Sequence, residues 1–236
     1  MQDELLTTSD LIELNRNRAA FYRRLAYYYL HELTQAQIEE LAQLDFSDAD
    51  GGDATIAEGY AQMSGSLARI NTGTRQQLAV DYAHTFLAAG NYETYAATPY
   101  ESVFTSEAGI LMQEARDEVY KMYCDEQMQP DEKLQIPEDH VAFEFEFMAL
   151  LLDRLNGALL IDDHPRAAEY ATKLQKFHRE HQLNWIDDLC DAVEDVANTT
   201  FYCGLAKVTR GFVHLETAVI DDELELMETS GKEGAR

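Results

Sequence analysis

The sequence predicts an all-α fold. Apolar residues recur at spacings of three and four along most of its length, while alternating β-branched runs with tight hairpin signals are missing. Two Thr-x-x-Gln pairs, Thr34/Gln37 and Thr74/Gln77, have the spacing of helix capping boxes. With 236 residues the chain is long enough to bury a full core as one domain. We assign residues 1–220 to that domain and 221–236, acidic and then Gly-rich, to a fraying tail.

Taken in order, the first helix follows the capping candidates Ser9 and Asp10. It carries Tyr22, Leu25, Ala26, Tyr29, Leu30 and Leu33 on one stripe, with Arg16, Arg23 and Arg24 turned to solvent. Thr34 restarts the chain as a short second helix to about Leu44, and Asp45 to Asp53, with Gly51-Gly52, is a polar loop. A third helix aligns Ile56, Tyr60, Met63, Leu67 and Ile70; a fourth, capped at Thr74, turns Leu78, Tyr82 and Phe86 inward. Gly90 to Thr98 is a tyrosine-bearing loop that ends at Pro99.

A helix is then expected from Ser106 to Gln127, presenting Leu111, Ala115, Val119 and Met122 to the core. Met128 to Ile136 contains Pro130 and is the best hinge or linker in the chain. Beyond Pro137, Val141, Phe145, Met148, Leu152 and Leu155 form one stripe, and Phe143, Phe147, Leu150 and Leu151 cover much of the rest. A helix apolar nearly all round is central, or leaves a face for a ligand. Pro165 opens the next helix, Trp185 to Ala197 forms another, and Phe201 to about Ile220 the last.

Composition narrows the function. Eighteen basic against 44 acidic residues give a net charge of −26, so a grip on nucleic-acid phosphates or anionic lipid is not expected, and a basic partner is the natural complement. Cys124, Cys190 and Cys203 are odd in number and widely spaced, which fits a reducing cytoplasm better than a disulfide framework or a zinc knuckle. Asp3 and Glu4 stand where a secretory signal carries positive charge. The longest apolar run, Phe147 to Leu152, is far short of the roughly 20 residues that cross a bilayer.

Catalytic templates are scarce. No histidine has Glu three positions before it, as a di-iron bundle requires, and His-Glu-x-x-His, a phosphate-binding Gly-Lys-Ser/Thr loop and Gly-x-Ser-x-Gly are missing. His178 and His181 lie at i and i+3 but read as amphipathic surface residues beside Arg179 and Glu180. Cys190 falls in an apolar rhythm with Leu189 and Val193 and reads as a packed thiol.

What remains resembles a binding surface. Tyr82, Phe86 and Leu87 end one helix, Tyr92 and Tyr95 ride the following loop, and Pro99-Tyr100 begins a turn; aromatic anchors on loops suit peptides. Tyr82 and Phe86 can equally plug the core. Pro137-Glu138-Asp139-His140 delivers acids and a histidine to the start of the apolar helix, either as simple caps or as ligand groups.

These two segments, Pro99-Tyr100-Glu101-Ser102 and Pro137 with Asp139-His140, together with Tyr82 to Leu87, resemble the TorD/DmsD family of cytoplasmic chaperones for molybdenum-containing redox enzymes. Thr85 and Ala88-Ala89-Gly90-Asn91 depart from the family's usual pattern. The resemblance implies a non-enzyme with no cofactor of its own. Its partner would be the twin-arginine leader, and the apo form, of a molybdopterin oxidoreductase catalytic subunit. It also implies a monomer or a domain-swapped dimer. The implied signal-peptide residues are Tyr82, Phe86, Leu87, Pro99, Tyr100, Glu101, Ser102, Pro137, Asp139 and His140. Two other readings stand beside it: a metal- or nucleotide-dependent helical enzyme using Asp139, His140 and Glu144, and an adaptor that meets only a folded partner.

Overall fold

A computed structural model describes residues 7–46, 51–89, 96–130 and 132–233. Tyr92 and Tyr95 lie outside the described residues. Helices α1 (Thr8–Leu30), α2 (Gln35–Leu41), α3 (Ala54–Leu67), α4 (Thr74–Phe86), α5 (Glu101–Thr105) and α6 (Glu114–Asp125) precede a short 3-10 turn, Glu132–Leu134. Then come α7 (Val141–Leu159), α8 (His164–Phe177), a π-helical turn (His178–Gln182), α9 (Ile186–Val196) and α10 (Thr200–Glu233). Among the described residues there is no strand, only an antiparallel bridge between Tyr100 and His140, and the fold is all-α as expected.

The apolar-all-round helix is the centre. Every predicted stripe residue of α7 is buried, as are Phe143, Phe147 and Leu151, because α1 packs on one side and α8 on another. The long α10 crosses α3, α8 and α9. Its approach to α3 depends on two glycines: a Cβ on Gly59 would sit 2.6 Å from the Gly204 carbonyl oxygen, and one on Gly204 2.5 Å from that of Gly59. Any side chain there would force the helices apart.

Several boundaries differ from expectation, each for a local reason. The α1 cap is Thr7, and Asp10 serves as the partner that accepts from the Thr7 N–H at 3.0 Å. Thr34 and Gln37 do form a capping box. Thr74 does not cap α4: it is the first helical residue, and its hydroxyl accepts from the Asn71 N–H at 2.9 Å. Ile70 lies past the end of α3 and is exposed. The expected Ser106–Gln127 helix begins only at Glu114, since Gly109 at φ +60° and Met112 at φ +64° break helical geometry, and Leu111 faces solvent.

The tail boundary at 220 is corrected as well, because α10 runs through it to Glu233. Glu216, Ile220, Glu223 and Met227 share one buried face. Arg18 of α1, itself buried, donates to Glu216 from Nε and Nη2, both at 2.9 Å, and to Glu223 at 2.8 Å. Asn15 adds a bond to Glu223 at 2.5 Å. A buried carboxylate left alone is costly, so the paired arginine lets the acidic helix continue against the core.

Candidate functional site

The two motif segments meet. The Glu101 N–H donates to the Asp139 carbonyl, and the Val141 N–H to the Pro99 carbonyl, both at 2.9 Å. Proline has no N–H to continue a helix; Pro99 and Pro137 thus leave each segment extended and free to pair. The Asp139 carboxylate accepts from the Ser102 N–H at 2.9 Å, and the Tyr100 and His140 rings meet edge to face at 4.9 Å. His140 is the α7 N-cap, its Nδ1 accepting from the Ala142 N–H at 3.1 Å. Burial lowers its pKa to about 3, so the imidazole is neutral and free to accept.

Most of the predicted site residues are therefore interior. Asp139 and Ser102 are fully buried, Glu101, Pro99 and His140 nearly so, and only Tyr100 and Pro137 are partly exposed. Tyr82 and Phe86 belong to the core: the Tyr82 hydroxyl donates to the Tyr29 carbonyl at 2.9 Å, and Phe86 packs edge-on against Tyr29 and Tyr202. Leu87 is 60% exposed at the end of α4.

His178 and His181, expected at the surface, are also buried. The π turn that follows α8 adds a residue to the turn and rotates both rings inward. His178 reaches Gln182 and Thr217, each at 2.9 Å, while His181 Nδ1 lies 3.0 Å from Glu101. Asn184 donates to the same carboxylate at 2.7 Å. No cluster suited to a metal ion occurs among the described residues. Cys190 is a packed thiol that donates to the Ala206 carbonyl at 3.2 Å, its pKa pushed up by burial.

Above this knot lies an open groove of about 950 Å³. Five of its lining residues are glutamates, namely Glu101, Glu107, Glu114, Glu118 and Glu180, and among the described residues no lysine or arginine lines it. Its remaining wall includes Gln113 and Asn184. Immediately before Gln113, Ile110, Leu111 and Met112 are 53%, 41% and 58% exposed. Three consecutive exposed apolar residues are unfavourable in water unless something covers them. The Gln113 N–H donates to Ser102 Oγ at 3.2 Å and so ties this apolar loop to the knot.

Sequence reasoning did not single out the acidic groove or the apolar loop. Glu114 and Glu118 at i and i+4 and the Ile110-Leu111-Met112 run are the signals that mark them.

The profile of the nitrate reductase delta subunit family matches residues 49–191, a span that includes both motifs, the groove and the apolar loop. The chain belongs to this family, that of the TorD-like chaperones. Similar proteins across most of the chain include the chaperone protein TorD of Vibrio parahaemolyticus, 23% identical over 211 residues, or 87% of this chain and 95% of the relative. That of Vibrio atlanticus is 22% identical over 219 residues, 91% and 99% of the two chains. The TorD of Shewanella pealeana is 24% identical over 213 residues, 86% of each. A TorD-like chain is a chaperone and not an enzyme. No described helix is long and apolar enough to cross a membrane.

Proposed function

We propose that this TorD-like protein is a cytoplasmic maturation chaperone. Its client is the apo catalytic subunit of a molybdopterin oxidoreductase, held by the twin-arginine leader until cofactor insertion is complete. The observation that carries this reading is the juxtaposition of a groove lined by five glutamates with the exposed Ile110-Leu111-Met112 loop. A leader offers the complementary pair, two guanidinium groups and an apolar run. Carboxylates hold guanidinium by paired, charge-assisted hydrogen bonds, and the loop gains by losing contact with water.

The two family-like motifs act in this reading mainly as the base of the site. Tyr100 and Pro137, at the partly exposed edge of the knot, and Leu87 remain available to touch the peptide. Asp139 positions the Ser102 backbone and does not reach the guanidinium groups itself.

Binding of leader peptides from molybdopterin oxidoreductases, followed by fluorescence anisotropy, tests the reading. Micromolar or tighter affinity for an Arg-Arg leader, reduced when both arginines become lysine, is the expected result. Equal affinity for the same peptide with its arginines replaced by glutamine would reject it.

A further inference from the structure

The acidic groove has two walls and a floor, and the floor ties the walls together. Ser102 Oγ accepts from the Gln113 N–H at the start of α6. Its neighbour Glu101 reaches the other wall, where it accepts from Asn184 Nδ2 at 2.7 Å and meets His181 Nδ1 at 3.0 Å. Two consecutive residues of α5 thus hold α6 on one side and the π-turn segment on the other. With both oxygens engaged and its side chain buried, Glu101 is the groove carboxylate least able to take a ligand.

The other glutamates divide between the walls. Glu114 and Glu118 stand one turn apart on one face of α6, both exposed and without an ion pair among the described residues. Glu180 lines the groove from the π turn, which buries His178 and His181 and leaves Glu180 half exposed; single π turns of this kind are frequent at functional sites. Lys176, 3.7 Å from Glu180 at i and i+4, forms an exposed pair weak enough to yield to a ligand. Past the end of α5, the Ser106 hydroxyl oxygen belongs to the groove lining and is buried without a partner among the described residues. An extended peptide has free backbone N–H and C=O groups to offer it.

We propose that the groove selects two adjacent arginines in an extended chain, one guanidinium going to Glu114 and Glu118 and the other to Glu180. The inference rests on the leader site proposed above and names the form of peptide that this site takes. Successive side chains of an extended chain point to opposite sides, so adjacent arginines reach both walls at once. Arginines separated by one residue point the same way and leave a wall unpaired. If α6 alone read the peptide, the preference would reverse. Its carboxylates, with Cβ atoms about 5–6 Å apart, are best matched by side chains two residues apart on a strand, at about 6.5–7 Å.

Isothermal titration calorimetry of the whole chain at low salt tests this with two acetylated, amidated peptides of one composition. They carry Arg-Arg-Gln or Arg-Gln-Arg ahead of the same leucine-rich run. The wild type should bind the adjacent pair about 3- to 10-fold more tightly. Glu180→Gln, at a half-exposed position, should bring the two affinities to within about twofold, mainly by weakening the adjacent pair. Lys176→Gln removes the partner of Glu180 and keeps its carboxylate, so the preference for Arg-Arg-Gln should persist.

Equal affinity of the wild type for the two peptides, tighter binding of Arg-Gln-Arg, or a preference that survives Glu180→Gln overturns the two-wall reading and leaves the leader site standing. Loss of the preference in Lys176→Gln overturns it too, because the carboxylate would then not be what reads the second arginine. A Gln-Gln-Gln peptide that binds as tightly as Arg-Arg-Gln rejects the leader site itself, and the two-wall reading with it. Should Glu180→Gln not fold, the wild-type comparison decides: a preference for Arg-Arg-Gln supports the reading, and its absence overturns it.

Discussion

Asp139→Ala separates a support role from a contact role at the motif. The Asp139 carboxylate is fully buried and accepts from the Ser102 N–H at 2.9 Å. Alanine leaves that N–H buried without an acceptor, which costs about 1–3 kcal/mol. Its second oxygen has no donor among the described residues, and its charge sits near Glu144 and Tyr123, so losing the carboxylate also relieves repulsion. We expect a net destabilisation of about 1–2 kcal/mol. In a chain of this size 1 kcal/mol moves Tm by about 2–4 °C, so the expected fall is about 2–8 °C.

Circular dichroism melting measures that shift, and titration of an Arg-Arg peptide well below both melting points measures binding. Affinity should stay within about threefold, because the nearest groove carboxylate, Glu101, is unchanged. A variant that melts like the wild type but has lost peptide affinity would place Asp139 against the ligand and refute the reasoning.

Replacing Glu107, Glu114 and Glu118 by Gln should weaken an Arg-Arg peptide by about 5- to 30-fold at low salt; the deficit should shrink by ~0.5 M salt, where the Debye length is about 4 Å, and anisotropy titrations at both salts check it. Arg18→Ala leaves Glu216 and Glu223 buried and unpaired, a loss of about 3–5 kcal/mol in urea unfolding, whereas Arg18→Met with Glu216→Leu and Glu223→Met should recover most of it. His140 is neutral in the fold, with a pKa lowered by burial to about 3, while the unfolded chain binds that proton near pH 6.5. Its contribution is therefore complete above about pH 6.5 and lost as pH falls toward 3. His140→Asn, which keeps a cap acceptor, should flatten the fall in stability between pH 6.5 and 5 by up to ~1.4 kcal/mol per pH unit.

What was legible in the sequence depended on the distance over which each interaction acts. The α7 periodicity and the Thr34/Gln37 box are fixed by neighbours within a turn or two, and both are as read. The continuation of α10 past Ile220 was not legible, because it depends on Arg18, about two hundred residues away along the chain. Asp221 and Asp222 look like a solvated tail until one sees Glu216 and Glu223, seven apart, sharing one arginine. The inward turn of His178 and His181 was hidden for a related reason: a single π turn shifts the helical register, and no local residue pattern announces it.

The same logic explains why the site motifs were recognisable while their burial was not legible. Pro99–Ser102 and Pro137–His140 are about 40 residues apart, and they meet through backbone bonds that leave little sequence trace beyond the prolines and the carboxylate that caps Ser102. A segment bound on so many sides presents few atoms to a ligand. It can instead hold Gln113 through Ser102 Oγ, and with it the start of α6 and the exposed apolar loop. Glu114 and Glu118 then stand at fixed places on the groove wall. In the proposed reading the motif sets where the binding surface stands, and the less distinctive glutamates and aliphatic residues beside it make the contact. Substitutions in the motif should therefore lower stability before they lower affinity, and substitutions on the groove rim should do the reverse.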